Sequence, residues 1–143
     1  MTPEPSVVAA APVRTLRVLI VEDESLVSLF LQGVLRDLGH TVSGIAPSLR
    51  TALAVAAGTP TDLAIVDVGL AGDGGDGIDA AVALRERHGI PAVLMTGASF
   101  ATLGERLKQA EPLGFLTKPY TGADVERILA TAMPALSARM PSA

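Results

Sequence analysis

The chain has 143 residues, which is the length of about one domain. Hydrophobic residues make up 49% and charged residues 18%, a composition that supplies a buried core and excludes global disorder. The absence of cysteine excludes disulfides, thiolate metal sites and a cysteine nucleophile. The formal net charge is −4 and no run of lysine and arginine occurs, which argues against nucleic acid as a direct partner.

Both ends of the chain are expected to lie outside the folded domain. Residues 1–14 are predicted to be a disordered tail, and the segment PALSARMPSA (134–143) a second tail, which leaves 15–133 as the domain. The apolar patch near the start is interrupted by Pro12 and follows no basic segment, so it does not fit a signal peptide. No apolar run approaches the roughly 18 residues of a membrane helix. We therefore expect a soluble cytoplasmic protein.

The first half of the domain alternates between short apolar runs and longer amphipathic segments. The run LRVLIV (16–21) has the aliphatic and β-branched residues that are typical of a buried strand. Apolar residues then recur about once per turn in 24–39, which predicts a helix. A weaker strand is predicted at 40–46, followed by a helix at 49–58 that Ser48 can cap.

The second half continues the alternation. Strands are predicted at 63–68, 91–96 and 114–117, and helices from Ile78 to about His88, at 101–110 and over 125–132. Strict alternation of five strands and five helices predicts an α/β fold with a parallel sheet and helices on both faces. We expect the flavodoxin-like (βα)5 arrangement, a doubly wound five-stranded sheet with strand order 2-1-3-4-5.

Polar residues follow the predicted strands at the point where each strand ends. Glu22 and Asp23 follow the first strand, and Asp67, Thr96 and Lys118 lie at the ends of the third, fourth and fifth. Ligands of such sheets bind at this carboxyl edge, and the first and third strands are neighbours there. Two carboxylates about 4 Å apart repel by roughly 4 kcal/mol at an effective dielectric constant of 20. A divalent cation with oxygen ligands, such as Mg²⁺, offsets this repulsion.

The stretch LAGDGGDGIDAAV (70–82) contains a partial match to a calcium-binding β-helix repeat. That architecture needs about three stacked repeats, and this chain has one. The EF-hand pattern fails because Gly75 and Gly77 stand where oxygen ligands belong. We interpret the stretch as a loop beside the carboxyl edge, with Asp73 and Asp76 expected to be solvated.

Four motifs in order resemble the receiver domain of two-component response regulators. They are VLIVEDE, LAIVDVGL, VLMTG and FLTKPY, and the resemblance covers about residues 15–133. It implies that Asp67 accepts a phosphoryl group from a phosphohistidine. It also implies that Asp23, Asp67 and the backbone carbonyl of Gly69 bind Mg²⁺ directly, with Glu22 acting through water.

The same resemblance implies roles for the other residues of these motifs. Lys118 would pair with the phosphoryl group, and the Lys118–Pro119 peptide would be cis. Thr96 would bind a phosphoryl oxygen, and Phe115 would follow Thr96 as the second switch residue. Such a domain catalyses only its own phosphorylation and dephosphorylation, so we expect no other enzyme activity.

The resemblance also implies partners. A sensor histidine kinase or a histidine phosphotransfer protein would supply the phosphoryl group. The short segment after Pro134 leaves no room for an output domain, so we expect a stand-alone regulator that signals by contact with another protein. The expected surface is the face of helix four, strand five and helix five near Phe115 and Tyr120. Homodimerisation through that face stays open, and no nucleic acid or membrane partner is expected.

Three alternative functions remain for comparison. A haloacid-dehalogenase-like phosphatase needs a second aspartate two residues after the nucleophile, where this chain has Gly69. A flavodoxin-like or nucleotide-binding module needs a glycine-rich first turn, but the turn EDES (22–25) is acidic and would repel a phosphate. A receiver-like docking module that is never phosphorylated is the third. His40 and His88 do not discriminate, because both are expected at surface positions between elements.

Overall fold

Strands and helices alternate along the chain, which the computed structural model describes at residues 15–72, 74–97 and 104–139. The strands are β1 (Arg17–Val21), β2 (Thr41–Ala46), β3 (Leu63–Asp67), β4 (Ala92–Thr96) and β5 (Gly114–Thr117). The helices are α1 (Ser25–Asp37), α2 (Leu49–Gly58), α3 (Gly77–His88), α4 (Glu105–Ala110) and α5 (Gly122–Arg139). All neighbouring strands are parallel, in the order β2-β1-β3-β4-β5. The predicted flavodoxin-like fold is therefore confirmed.

Several predicted boundaries agree with the structure. α2 and β5 have the predicted limits, and the Ser48 hydroxyl accepts a hydrogen bond from the Thr51 N–H at 3.2 Å. α4 is shorter than the predicted helix at 101–110, because it begins at Glu105. The first residues of that predicted helix, 101–103, lie outside the described residues.

The core has two halves, one on each face of the sheet. Alternate residues of a strand point to opposite faces, so Leu19 and Val21 pack with α2, α3 and α4, whereas Val18 and Ile20 pack with α1 and α5. β3 and β4 are buried along their whole length. Aliphatic side chains fill both halves, which leaves the ends of the strands as the place where polar side chains collect.

α5 continues through the segment that was expected to be a C-terminal tail. Pro134 lies inside the helix, which runs to Arg139. An interior proline destabilises a helix by about 3 kcal/mol. However, Leu136 is 1% exposed and lies in the same half of the core as Leu129 and Ala132. Burying a leucine stabilises by roughly 1.5–3 kcal/mol, which offsets much of the proline penalty. The predicted tail is wrong for 134–139.

No helix within the described ranges combines the length and the apolar character needed to cross a membrane. α5, the longest of them, carries a buried apolar stripe and exposed polar residues such as Arg127. This pattern is typical of a helix that packs on a sheet.

His40 is buried, contrary to the expectation of a surface position, whereas His88 is exposed as expected. The side chain of His40 is only 6% accessible, and its Nδ1 accepts a hydrogen bond from the Leu16 N–H at 3.0 Å. This bond requires the tautomer with its proton on Nε2. Burial lowers the pKa of His40 below its ordinary value of 6.5, because a charged imidazolium is disfavoured away from water.

The fold is expected to lose stability through His40 as the pH falls. Because its pKa is lowered in the folded protein, the unfolded chain takes up the proton first. The stabilisation is present above pH 6.5 and is lost below it, by at most about 1.4 kcal/mol per pH unit. His40→Asn keeps an acceptor for Leu16 and removes the titration. Urea unfolding at about pH 7.5 and about pH 5.5 should show a larger loss for the wild type than for the variant. Equal losses would contradict the assignment.

Candidate functional site

Three carboxylates meet at the carboxyl edge of the sheet. Glu22 and Asp23 directly follow β1, and Asp67 is the last residue of β3. β1 and β3 pair in parallel with Val21 opposite Val66, so the two strand ends lie side by side. Each of the three residues offers a carboxylate oxygen, and these oxygens lie within 4.8 Å of one another. The structure thus brings together the residues that the sequence analysis expected to converge.

The three carboxylates differ in burial and in hydrogen bonding. Glu22 and Asp67 are 2% and 6% exposed, whereas Asp23 is exposed. Glu22 Oε2 accepts a hydrogen bond from the Glu24 N–H at 3.1 Å, and Asp67 Oδ1 accepts one from the Gly69 N–H at 3.0 Å. Asp23 Oδ2 accepts a long bond from Ala71. The bond from Gly69 therefore helps to fix the position of Asp67, and Asp23 is the solvent-exposed carboxylate of the three.

Lys118, which directly follows β5, supplies the positive charge of the site. Its Nζ lies 3.2 Å from Asp67 Oδ1 and 3.5 Å from Glu22 Oε1. Burial lowers the pKa of Lys118, but the charges and hydrogen bonds of Asp67 and Glu22 outweigh burial, so that its pKa is raised overall. The lysine therefore stays charged beside these carboxylates at neutral pH.

The pKa of Glu22 is set by its burial and by the charged groups around it. Burial is the main cause that raises its pKa to about 7, and the charge of Asp67 adds to the effect, whereas Lys118 opposes it. Tyr120 responds in the same direction, since burial and then the charges of Glu22 and Asp67 raise its pKa to about 12. Three clustered carboxylates face the one ammonium group of Lys118, so the site favours a further cation.

The switch residues expected from the sequence border the site. Thr96 is the last residue of β4 and is 2% exposed, and its carbonyl accepts a hydrogen bond from the Lys118 N–H at 2.8 Å. Phe115 is half-buried in β5, where it pairs with Leu94. The Lys118–Pro119 peptide is cis, as the resemblance implied.

The loop after β3 leads into α3 within one residue of the predicted start, through a capping box that the sequence analysis did not recognise. Asp76 was expected to be solvated, but its Oδ1 accepts a hydrogen bond from the Asp79 N–H at 3.0 Å, and Asp79 Oδ2 accepts one from the Asp76 N–H at 3.0 Å. This reciprocal capping box fixes the first turn of α3. An aspartate followed by another acidic residue three positions later was the available signal. Asp73 lies outside the described residues.

Arg106 at the start of α4 pairs with the same two aspartates. Its guanidinium donates to Asp76 at 2.7 and 2.9 Å and to Asp79 at 3.1 Å. Hydrogen bonding by Arg106 is the main cause that lowers the pKa of Asp76, so this carboxylate stays ionised. The expectation that Asp76 is merely solvated is therefore wrong.

Comparison with known proteins identifies the family. The model of the response regulator receiver domain matches residues 18–130. The chain belongs to the response regulator receiver family. The receiver is 36% identical over 109 residues to the transcriptional regulatory protein PdtaR of Mycobacterium tuberculosis, which covers 76% of this chain and 52% of PdtaR. It is 33% identical over 119 residues to the phyllosphere-induced regulator PhyR of Methylorubrum extorquens. This match covers 81% of this chain and 43% of PhyR.

The receiver spans only about half the length of the curated relatives it matches. Solved structures agree with the identification of the family. The receiver domain of PhyR from Erythrobacter litoralis is 30% identical with a TM-score of 0.75, over 90% of this chain and 96% of that one. A CheY-like receiver domain protein from Methanospirillum hungatei is 20% identical with a TM-score of 0.76, over 89% of this chain and 100% of that one. This second similarity supports the fold alone.

Proposed function

We propose that this receiver accepts a phosphoryl group on Asp67 from a histidine kinase or a histidine phosphotransfer protein. The observation that carries the proposal is the position of the Asp67 carboxylate, which lies within 4.8 Å of two further carboxylates and 3.2 Å from the Lys118 ammonium. The general role of a phosphoacceptor is that of the receiver family to which the chain belongs. The proposal concerns the residues that perform it.

The reaction is an in-line transfer between two nucleophiles. A carboxylate oxygen of Asp67 attacks the phosphorus of a phosphohistidine, so that an O–P bond forms as the N–P bond breaks. The released imidazole takes up a proton from solvent. Since negative charge spreads over the oxygens of the transferring group, a cation placed beside Asp67 lowers the barrier. Lys118 Nζ, 3.2 Å from Asp67 Oδ1, is in place to pair with one of these oxygens.

The donor set fits Mg²⁺, which prefers a small number of carboxylates together with water and phosphate oxygens. Asp23 and Asp67 would hold the ion directly together with the carbonyl of Gly69, and Glu22 would act through water. When bound, Mg²⁺ neutralises charge on carboxylate and phosphoryl oxygens. Glu22 supports this fit because it is buried and one of its carboxylate oxygens lies within 4.8 Å of those of Asp23 and Asp67.

Two residues would transmit the structural change caused by phosphorylation from Asp67 to the protein surface. Thr96 ends the strand beside β3 and would donate its hydroxyl to a phosphoryl oxygen. Phe115 lies on the next strand, half-buried, and would follow the movement of Thr96. Both residues belong to strands that pair directly, which supports a coupled movement of the two.

The output is proposed to be a contact with another protein through the face of α4, β5 and α5, near Phe115 and Tyr120. No enzyme activity beyond its own phosphorylation and dephosphorylation is proposed. A cytoplasmic location is part of the proposal.

Replacing Asp23 by asparagine tests the metal site. The variant removes one charge from the carboxylate group, and we expect it to raise the Mg²⁺ concentration that half-saturates phosphorylation by acetyl phosphate by about tenfold or more. Asp37→Asn is the matched control, because Asp37 is an exposed carboxylate at the end of α1. An unchanged Mg²⁺ requirement in Asp23→Asn would exclude Asp23 as a ligand, whereas the assignment of Asp67 is tested separately by Asp67→Asn.

A further inference from the structure

α4 is attached to the rest of the domain by little apolar surface. It has six residues, of which Ala110 is buried and Leu107 packs partly against the core. A helix this short is not stable by itself in water. Contacts other than apolar burial must therefore contribute to holding α4 against α3.

Guanidinium groups join α3 and α4 at both ends of α4. Near its C-terminus, Arg85 of α3 donates to the Gln109 carbonyl at 2.6 Å and lies 3.7 Å from Glu111. At its N-terminus, Arg106 makes the three short bonds to Asp76 and Asp79 described above. A bidentate guanidinium–carboxylate pair is among the stronger exposed polar contacts.

The N-terminal contact leads directly to the phosphoacceptor. Gly77 follows Asp76, and its N–H donates to the Val68 carbonyl at 3.3 Å. A Cβ at Gly77 would overlap the carbonyl group of Asp67, so the first turn of α3 rests against the backbone of Asp67 without intervening atoms. Any displacement of that backbone is therefore transmitted to the aspartates that hold Arg106.

We propose that Arg106, with Asp76 and Asp79, forms an ionic latch that docks α4 on α3 and that opens when Asp67 is phosphorylated. The side chains in the latch are between 37% and 50% exposed, so the contact is accessible to salt and weak enough to open. The docking role of Arg106 stands independently of phosphorylation. The opening rests on the proposed function.

The direction of the coupling follows from the state in which the latch is formed. It is closed with an unmodified Asp67, whose Oδ1 accepts the Gly69 N–H. A phosphoryl group adds a charge of about −1.5 to −2 and competes for that N–H, which displaces the loop leading to Asp76. Because coupling is reciprocal, weakening the latch favours phosphorylation, and phosphorylation weakens the latch.

Hydrogen exchange of the unphosphorylated protein tests the docking role. Arg106→Gln is expected to raise the exchange rate of the amides in 105–111 and in the first turn of α3 by about fivefold. Lys108→Gln is the matched control, because Lys108 pairs only with Glu105 within α4 among the contacts of the described residues. At about 1 M salt, the exchange rates of the wild type should rise toward those of Arg106→Gln, because salt screens ion pairs. Equal exchange in the two variants would overturn the latch.

The same proteins with beryllofluoride and Mg²⁺ test the opening. Binding of this phosphoryl mimic is monitored by intact mass or fluorine NMR, independently of the hydrogen-exchange measurement. If the mimic binds and exchange in 105–111 rises in the wild type toward the level of Arg106→Gln, the coupling is established. If it binds and exchange stays unchanged, the coupling is refuted while the proposed function stands. If the mimic does not bind and acetyl phosphate leaves the wild type unmodified, the proposed function fails. The proposed opening then fails with it, but the docking role of Arg106 does not.

Discussion

Replacing Lys118 by glutamine is expected to slow phosphorylation by acetyl phosphate by roughly 100-fold, since one charge that stabilises the transition state is lost. Nζ of Lys118 is the positive group nearest to Asp67 Oδ1 among the described residues, at 3.2 Å. Glutamine has a similar length but no charge. The initial rate at saturating Mg²⁺, measured by intact mass, gives the effect.

A second readout separates this role from a role in metal binding. Without the Lys118 ammonium, Asp67 and Glu22 lose a competing cation, so the Mg²⁺ affinity of Lys118→Gln should be equal to or higher than that of the wild type. Lys108→Gln removes the same charge from an exposed position and should leave both quantities unchanged. A loss of Mg²⁺ affinity in Lys118→Gln would show that the lysine organises the metal site rather than the transferring group.

Gly77→Ala is expected to destabilise the domain by at least about 3 kcal/mol and to abolish phosphorylation. The new methyl group would overlap the carbonyl oxygen and carbon of Asp67 and the Cα of Val68. All three are backbone atoms at the last residue of β3 or the residue after it, so none can move without displacing Asp67. Urea unfolding and the phosphorylation assay measure the two effects.

Gly33→Ala is the matched control for this substitution. Gly33 lies inside α1, and a Cβ there would meet no atom within 4 Å. Alanine should therefore stabilise the domain by about 0.5–1 kcal/mol, because it favours the helix over the unfolded chain. Similar stability of Gly77→Ala and Gly33→Ala would contradict the close contact between α3 and Asp67.

The sequence was sufficient to predict the sheet and the grouping of the site residues. The sequence of each buried strand is an uninterrupted apolar run, and each run ends at a polar residue, as at Asp67 and Thr96. Parallel strands bring their carboxyl ends to one edge, so the positions of Glu22, Asp23 and Lys118 followed from topology. Local patterns thus predict those features that depend on strand ends.

Features that depend on contacts between distant residues were not predictable in this way. Arg106 and Asp76 are 30 residues apart and follow no periodic pattern. His40 was misjudged because its partner is the backbone N–H of Leu16, which no side-chain pattern reveals. Pro134 is a strong helix breaker locally, and the burial of Leu136 in the assembled core, which offsets much of that penalty, is not visible in the local pattern.

The most direct test of the account is the intact mass of the protein after incubation with acetyl phosphate and Mg²⁺. The wild type should gain one phosphoryl group, and neither Asp67→Asn nor a metal-free wild-type sample should gain any. An unmodified wild type that also fails to bind beryllofluoride would contradict the phosphoacceptor role and favour a receiver that acts only by docking. A phosphoryl group on Asp67→Asn would contradict the assignment of Asp67.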